Sequence, residues 1–180
     1  MRPNLYRPLP ALVLASLSAA AQPSPVHPCA LLTAAEASAA LGESVTPPSE
    51  WHTRYPTPEL GQFGASGTEK YLISSCAFQG RSGPGRLVLI ELRQLEAGTN
   101  STWRPQTLWA DWKRSRKKVA GSGFQNVKGA GTDAFLVPGE AFAYSPKRAG
   151  MLVRVLLTRP GGASPQVLSR LLRAATARLP

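Results

Sequence analysis

Apolar residues return along this chain at two spacings, and each spacing names an element. Between Ser164 and Leu179, the positions Leu168, Leu171, Leu172, Ala175 and Leu179 recur every three or four residues, with Arg170 and Arg173 between them. That is the period of a helix with one buried stripe. Ser164 can cap its start and Pro165 fits its first turn. Nearer the N-terminus, Thr33-Ala34-Ala35-Glu36 forms a capping box and Leu41-Gly42 a stop, which predicts a short helix over about 33–41. A third helix is predicted over about 105–119, opened by Pro105. On its wheel Leu108, Trp112 and Val119 share a stripe with Trp109 at the margin, while Lys113, Arg114, Lys117 and Lys118 fall on the opposite side.

The remaining apolar runs are short and read as strands. Tyr71–Phe78 and Leu87–Leu92 flank the turn Arg81-Ser82-Gly83-Pro84-Gly85, as an antiparallel hairpin does. Further short strands are predicted at Phe124–Val127, Ala134–Val137, Ala141–Tyr144 and Met151–Leu157. Between the first helix and the first strand, residues 43–69 hold Pro47-Pro48, Pro56, Pro58, Gly61, Gly64 and Gly67. This stretch reads as an irregular, exposed excursion. Trp51, Tyr55 and Phe63 within it either pin the loop to the domain or form a ligand-facing rim. Strand pairs joined by short turns imply an α+β fold, an antiparallel sheet packed with about three helices.

The first residues change how the rest is read. Arg2 and Arg7 precede an apolar stretch, Leu9 to Ala20, and Ala19-Ala20-Ala21 precedes Gln22. This is the pattern of a secretory signal peptide with cleavage after residue 21; a retained N-terminal anchor and a chance Ala/Leu-rich start on a cytosolic protein are the alternatives. The apolar core is roughly a dozen residues, short of the roughly 20 that span a bilayer. Residues 22–28 then form a proline-rich linker, and 29–180 a single domain, long enough to bury a core. The expected location is secreted or periplasmic.

Export gives the cysteines a role. Cys29 and Cys76 are the only two, and an even count in an oxidising compartment favours one disulfide. It would close a loop of about 48 residues, worth about 4 kcal/mol in the loop-entropy model. A lipid-modified Cys29 is the competing reading, but Val26-His27-Pro28 is not the small-residue lipobox such processing uses.

Charge adds a class of partner. The net charge is +11, and loss of Arg2 and Arg7 with the leader leaves +9. A cationic surface of this size suits an acidic protein, an anionic envelope component or nucleic acid. An arginine-rich composition that serves only solubility is the plain alternative. The cations concentrate in Lys113, Arg114, Arg116, Lys117 and Lys118, where Trp103 or Trp109 could stack on bases. Anionic lipid is a further surface such a run could meet.

Catalytic signatures are missing from the sequence. There is no G-x-S-x-G elbow and no phosphate- or dinucleotide-binding loop. The chain has two histidines, His27 and His52, and a zinc site needs about four ligands. No metal and no cofactor are therefore expected. Asn100-Ser101-Thr102 matches a glycosylation sequon that carries no information behind a bacterial-looking leader.

Two segments resemble a known family. Pro28-Cys29-Ala30-Leu31-Leu32-Thr33-Ala34-Ala35-Glu36, running to Ala40-Leu41-Gly42, resembles the opening of small secreted cysteine-pair domains of unknown function common among actinobacterial lipoproteins. Gly129-Ala130-Gly131-Thr132-Asp133-Ala134-Phe135 is similar to the glycine-rich turn before that family's later strands. The resemblance implies an antiparallel α+β fold with a disulfide and supplies no catalytic residues. The missing lipobox departs from it and favours an unanchored form.

The resulting expectation is an exported, non-enzymatic binding domain. Its candidate contacts are Lys113, Arg114, Arg116, Lys117, Lys118, Trp51, Tyr55 and Trp109, with an acidic protein or anionic envelope component as partner. A nucleic-acid or polyanion binder using helix 105–119 is the alternative, and an enzyme without a sequence signature stands third. Intact mass of the protein from its native host checks the premise. The expected product begins at Gln22 and is two hydrogens lighter before reduction than after it. A full-length mass with free thiols would overturn it.

Overall fold

The apolar runs pair as strands. The computed structural model describes residues 26–56, 70–95, 105–146 and 151–179. Its strands are β1 (Ser49–Pro56), β2 (Lys70–Gln79), β3 (Leu87–Leu95), β4 (Gln125–Asn126), β5 (Asp133–Val137), β6 (Glu140–Ser145) and β7 (Met151–Thr158). They form one antiparallel sheet in the order β1-β2-β3-β7-β6-β5-β4. The helices are α1 (Ala34–Leu41), α2 (Pro105–Ala120) and α3 (Pro165–Ala177), with a 3-10 turn at Pro28–Ala30. The expected leader, most of the linker, Phe63, Trp103 and the sequon at 100–102 lie outside the described residues.

Two meanders meet at the centre. β1-β2-β3 is one, β4-β5-β6-β7 the other, and β3 pairs β7 from Leu87↔Thr158 to Arg93↔Leu152. Side chains alternate across a strand, so this register sends every second residue to each face. One face carries Cys76, Phe78, Val88, Ile90, Leu92, Val153, Val155 and Leu157. Against it pack Ala37, Ala40 and Leu41 of α1 and Leu168, Leu171, Leu172 and Ala175 of α3. The other face carries Phe135, Phe142, Tyr144 and Leu152, covered by Trp109 of α2. The sheet is thus sandwiched between helices, which accounts for strands that are apolar on both sides such as Leu87–Leu92.

The excursion expected over 43–69 needs correction. Residues 49–56 within it are the edge strand β1, paired with β2 from Ser49↔Ala77 to Pro56↔Lys70. Pro47-Pro48 precedes this strand and Pro56 ends it. Proline is tolerated at the ends and on the open side of an edge strand, so these residues bound β1 rather than forbid it. Trp51, Thr53 and Tyr55 supply the aromatic and β-branched content that strands favour.

The helix ends follow the sequence closely. Thr33 caps α1 as expected: Glu36 N–H donates to its Oγ1 at 3.2 Å, and Thr33 N–H donates to Glu36 Oε2 at 2.8 Å. Gly42 closes the helix at φ +77°, and its N–H donates to Ser38 O. Ser164 caps α3 by accepting from Val167 N–H. In the glycine-rich turn before β5, Gly131 sits at φ +67°, where an added Cβ would come within 2.8 Å of Tyr144 O. Thr132 N–H donates to that same carbonyl, so only glycine fits the approach.

Cys29 and Cys76 form a disulfide across 47 positions. It ties the 3-10 turn to β2 inside the apolar core. No described helix is long and apolar enough to cross a membrane.

The two ends of the domain are joined by charge. Arg178, just after α3, donates through both guanidinium nitrogens to Glu36, each at 2.8 Å, and also to Leu31 O at 2.9 Å. The Arg178 hydrogen bonds are the main reason the Glu36 carboxyl is held down at about 2, against an ordinary value of 4.5. A depressed carboxylate stabilises the fold above its unfolded-state value, and that stability is lost as pH falls through the folded value. Glu36→Gln should therefore melt at a lower temperature than wild type near neutral pH. The gap should close as pH falls from about 4.5 toward about 2, where wild type loses the same pairing. Melting curves across this range check it; a gap independent of pH would exclude the assignment.

Candidate functional site

The helix α2 divides its own cations. Trp109, 5% exposed, turns its indole N–H onto Asp133 Oδ2 at 2.7 Å and packs on Phe135 and Tyr144. Lys113 Nζ reaches both oxygens of the same carboxylate, at 2.7 and 2.9 Å. Arg116 lies over the Phe142 ring and within 3.5 Å of Glu140 Oε2. Trp112 meets Phe142 edge-on and carries the Arg93 guanidinium 4.7 Å above its own ring. Burial pushes the Asp133 carboxyl upward, but the bonds from Lys113 and Trp109 outweigh it and leave it below its ordinary value.

Among the described side chains the inward face of α2 is 109, 112, 113, 116 and 120, roughly 75° around the helix from the stripe expected at Leu108, Trp112 and Val119; the Leu108 side chain lies outside the described residues. Val119 is 83% exposed. Size decides the rotation: each indole offers far more apolar area than a valine. Sheet carboxylates also sit where Lys113 and Arg116 can reach them while their stems cover aromatic rings. Of the cations expected on the outer face, Lys113 and the adjoining Arg116 are internal ion-pair members. Arg114, Lys117 and Lys118 face solvent, with Arg114 bound to Asp111 at 3.0 Å and Lys117 5.9 Å from the Phe124 ring.

The sheet register extends this face toward the edge. Trp51, Ser75, Glu91, Arg154 and Phe142 are successive partners across β1, β2, β3, β7 and β6. That register places Trp51 on the same side of the sheet as α2, where it is 43% exposed. The side chain of Tyr55 lies outside the described residues. Glu91 accepts from Arg93 Nε at 2.7 Å and lies 3.4 Å from Arg154, which also bonds Glu140. Burial disfavours the charged Arg154, yet Glu140 and Glu91 more than compensate and raise its pKa. The two carboxylates share the Arg154 guanidinium, and each has a second arginine beside it, Arg93 at Glu91 and Arg116 at Glu140.

A second cluster lies on the opposite side of β1. Glu50 and His52 are two residues apart and so share a face, the one that carries the disulfide. His27, just before the 3-10 turn, is brought over them. His27 Nδ1 is 2.8 Å and His52 Nε2 3.2 Å from Glu50 Oε1. His52 Nδ1 is 2.8 Å from Ser74 Oγ, and Cys29 N–H donates to Glu50 Oε2 at 3.4 Å. The sequence showed both histidines but not their partner. Glu50 was missed because the strand that carries it was read as irregular.

The split in α2 is testable. Asp133→Ala leaves the buried Trp109 indole without its acceptor and should cost about 1–3 kcal/mol of stability in denaturant unfolding. Lys118→Glu, on the outer face, should stay within about 0.5 kcal/mol of wild type. Equal losses would contradict the inward and outward assignment.

Comparison with protein-family models, curated proteins and solved structures finds no match.

Proposed function

We propose that this chain is an exported binding domain that docks an acidic protein through the solvent-facing cations of α2, with Trp51 on the same face. One observation carries the reading. Every carboxylate among the described residues is already engaged by the chain's own cations or imidazoles: Glu36, Glu43, Glu50, Glu91, Asp111, Asp133 and Glu140. Lys117 and Lys118 have no anionic partner among the described residues, within a chain of net charge +11. A field of this sign steers an acidic partner and holds it in a salt-dependent way.

Export is supported by the leader pattern and by the Cys29–Cys76 disulfide, a bond that persists in oxidising compartments. The reading is non-enzymatic, in keeping with carboxylates held in ion pairs. Nucleic acid as the partner loses one of its supports, because the Trp109 ring is buried under α2 and cannot stack on bases.

Chromatography on poly-glutamate and on single-stranded DNA, across a sodium chloride gradient, tests the proposal. Lys117→Glu with Lys118→Glu should elute from poly-glutamate at clearly lower salt than Arg170→Glu with Arg173→Glu, a charge-matched pair on α3 across the sheet. Identical elution of the two double variants would overturn the α2 surface. A steep salt slope on DNA with weak poly-glutamate retention would assign the site to nucleic acid instead.

A further inference from the structure

We propose that His27, Glu50 and His52 form a binding site for a zinc-class divalent metal ion. The donor set is two imidazoles and one carboxylate, the ligand types that zinc and copper ions take from proteins. Their ligating atoms all lie within 4.8 Å of one another. Donors around a tetrahedral ion at about 2.1 Å sit roughly 3.4 Å apart. The separations from Glu50 Oε1, 2.8 Å to His27 and 3.2 Å to His52, are close to that spacing. Small side-chain movements would open the cluster around an ion.

The surroundings have the character of an outer ligand shell. His52 offers Nε2 to the cluster because its Nδ1 is engaged by Ser74 Oγ, and Ser74 is 4% exposed. A metal-bound histidine usually has its second nitrogen fixed in this way. The free oxygen of Glu50 is oriented by Cys29 N–H. Two ligands stand on one paired strand, and the third is held over them because Cys29, two residues after His27, is bonded to Cys76 opposite Glu50. Three protein ligands leave a tetrahedral ion one position for water or an outside group. His27 is 70% exposed, which gives the ion an entry path.

The site lies on the sheet face away from Lys117 and Lys118, so it stands or falls separately from the docking surface. Isothermal titration of the oxidised, untagged full chain with zinc chloride is the test, with cobalt(II) absorption as a second readout. One equivalent should bind with micromolar or tighter affinity, and cobalt should show tetrahedral visible bands. His27→Gln and His52→Gln should each weaken binding about tenfold or more. His27 is exposed, so its variant keeps the fold, which a melting curve verifies. No binding by the wild type, or binding unchanged in both variants, would overturn the site.

Discussion

The pairing of β3 with β7 is the constraint on which the rest of this structure depends. It joins two meanders that are otherwise separated by a helix, and its register assigns every side chain near the centre to a face. Ile90 opposite Val155 and Leu92 opposite Val153 build the core under α1 and α3. The residue between, Glu91, stands opposite Arg154 on the face that α2 covers. A shift of one position would turn one strand over, leave Glu91 or Arg154 alone in the main core without its partner and take that strand's aliphatic row out of it, so the register is held by both faces at once.

The disulfide extends the same frame to the N-terminal side. It anchors the 3-10 turn to the central part of β2, and with it His27 and the start of α1. Cross-linking across so long a loop mainly restricts the unfolded chain. In the folded chain its local effect is to fix what stands over the edge strand. Arg178 does the corresponding work at the other end, since it clamps the end of α3 to the first turn of α1.

The charge distribution has a physical logic. The carboxylates lie where a cation can reach them, along the α2–sheet seam, at the α1–α3 junction and beside the turn at Ser82. Among the described residues, the charges left without an opposite partner are cationic. A run that looks uniform in sequence, from Lys113 to Lys118, is therefore two populations with different work. Lys113 and Arg116 hold the helix down, whereas Lys117 and Lys118 face solvent without an anionic partner among the described residues.

Much of the architecture was legible from residue order alone. Caps at Thr33 and Ser164, the stop at Gly42 and the buried stripe of α3 are local devices, and local chemistry is enough to place them. The cysteine pairing followed from the even count and from the leader pattern that suggested an oxidising compartment. Other features were not legible, for one common reason: they depend on a partner far away in the chain. β1 exists because β2 offers it a ladder, and the prolines around it say nothing of that. The facing of α2 was decided by where Phe142, Asp133 and Glu140 lie in the sheet, not by its own periodicity. The meeting of His27 with Glu50 and His52 needed both the strand and the disulfide. The sequence determined the three helices, the strands other than β1 and the excess of cationic charge. Tertiary structure decided which charges were consumed and which side chains met, because register and long-range pairing set distances that no local pattern encodes.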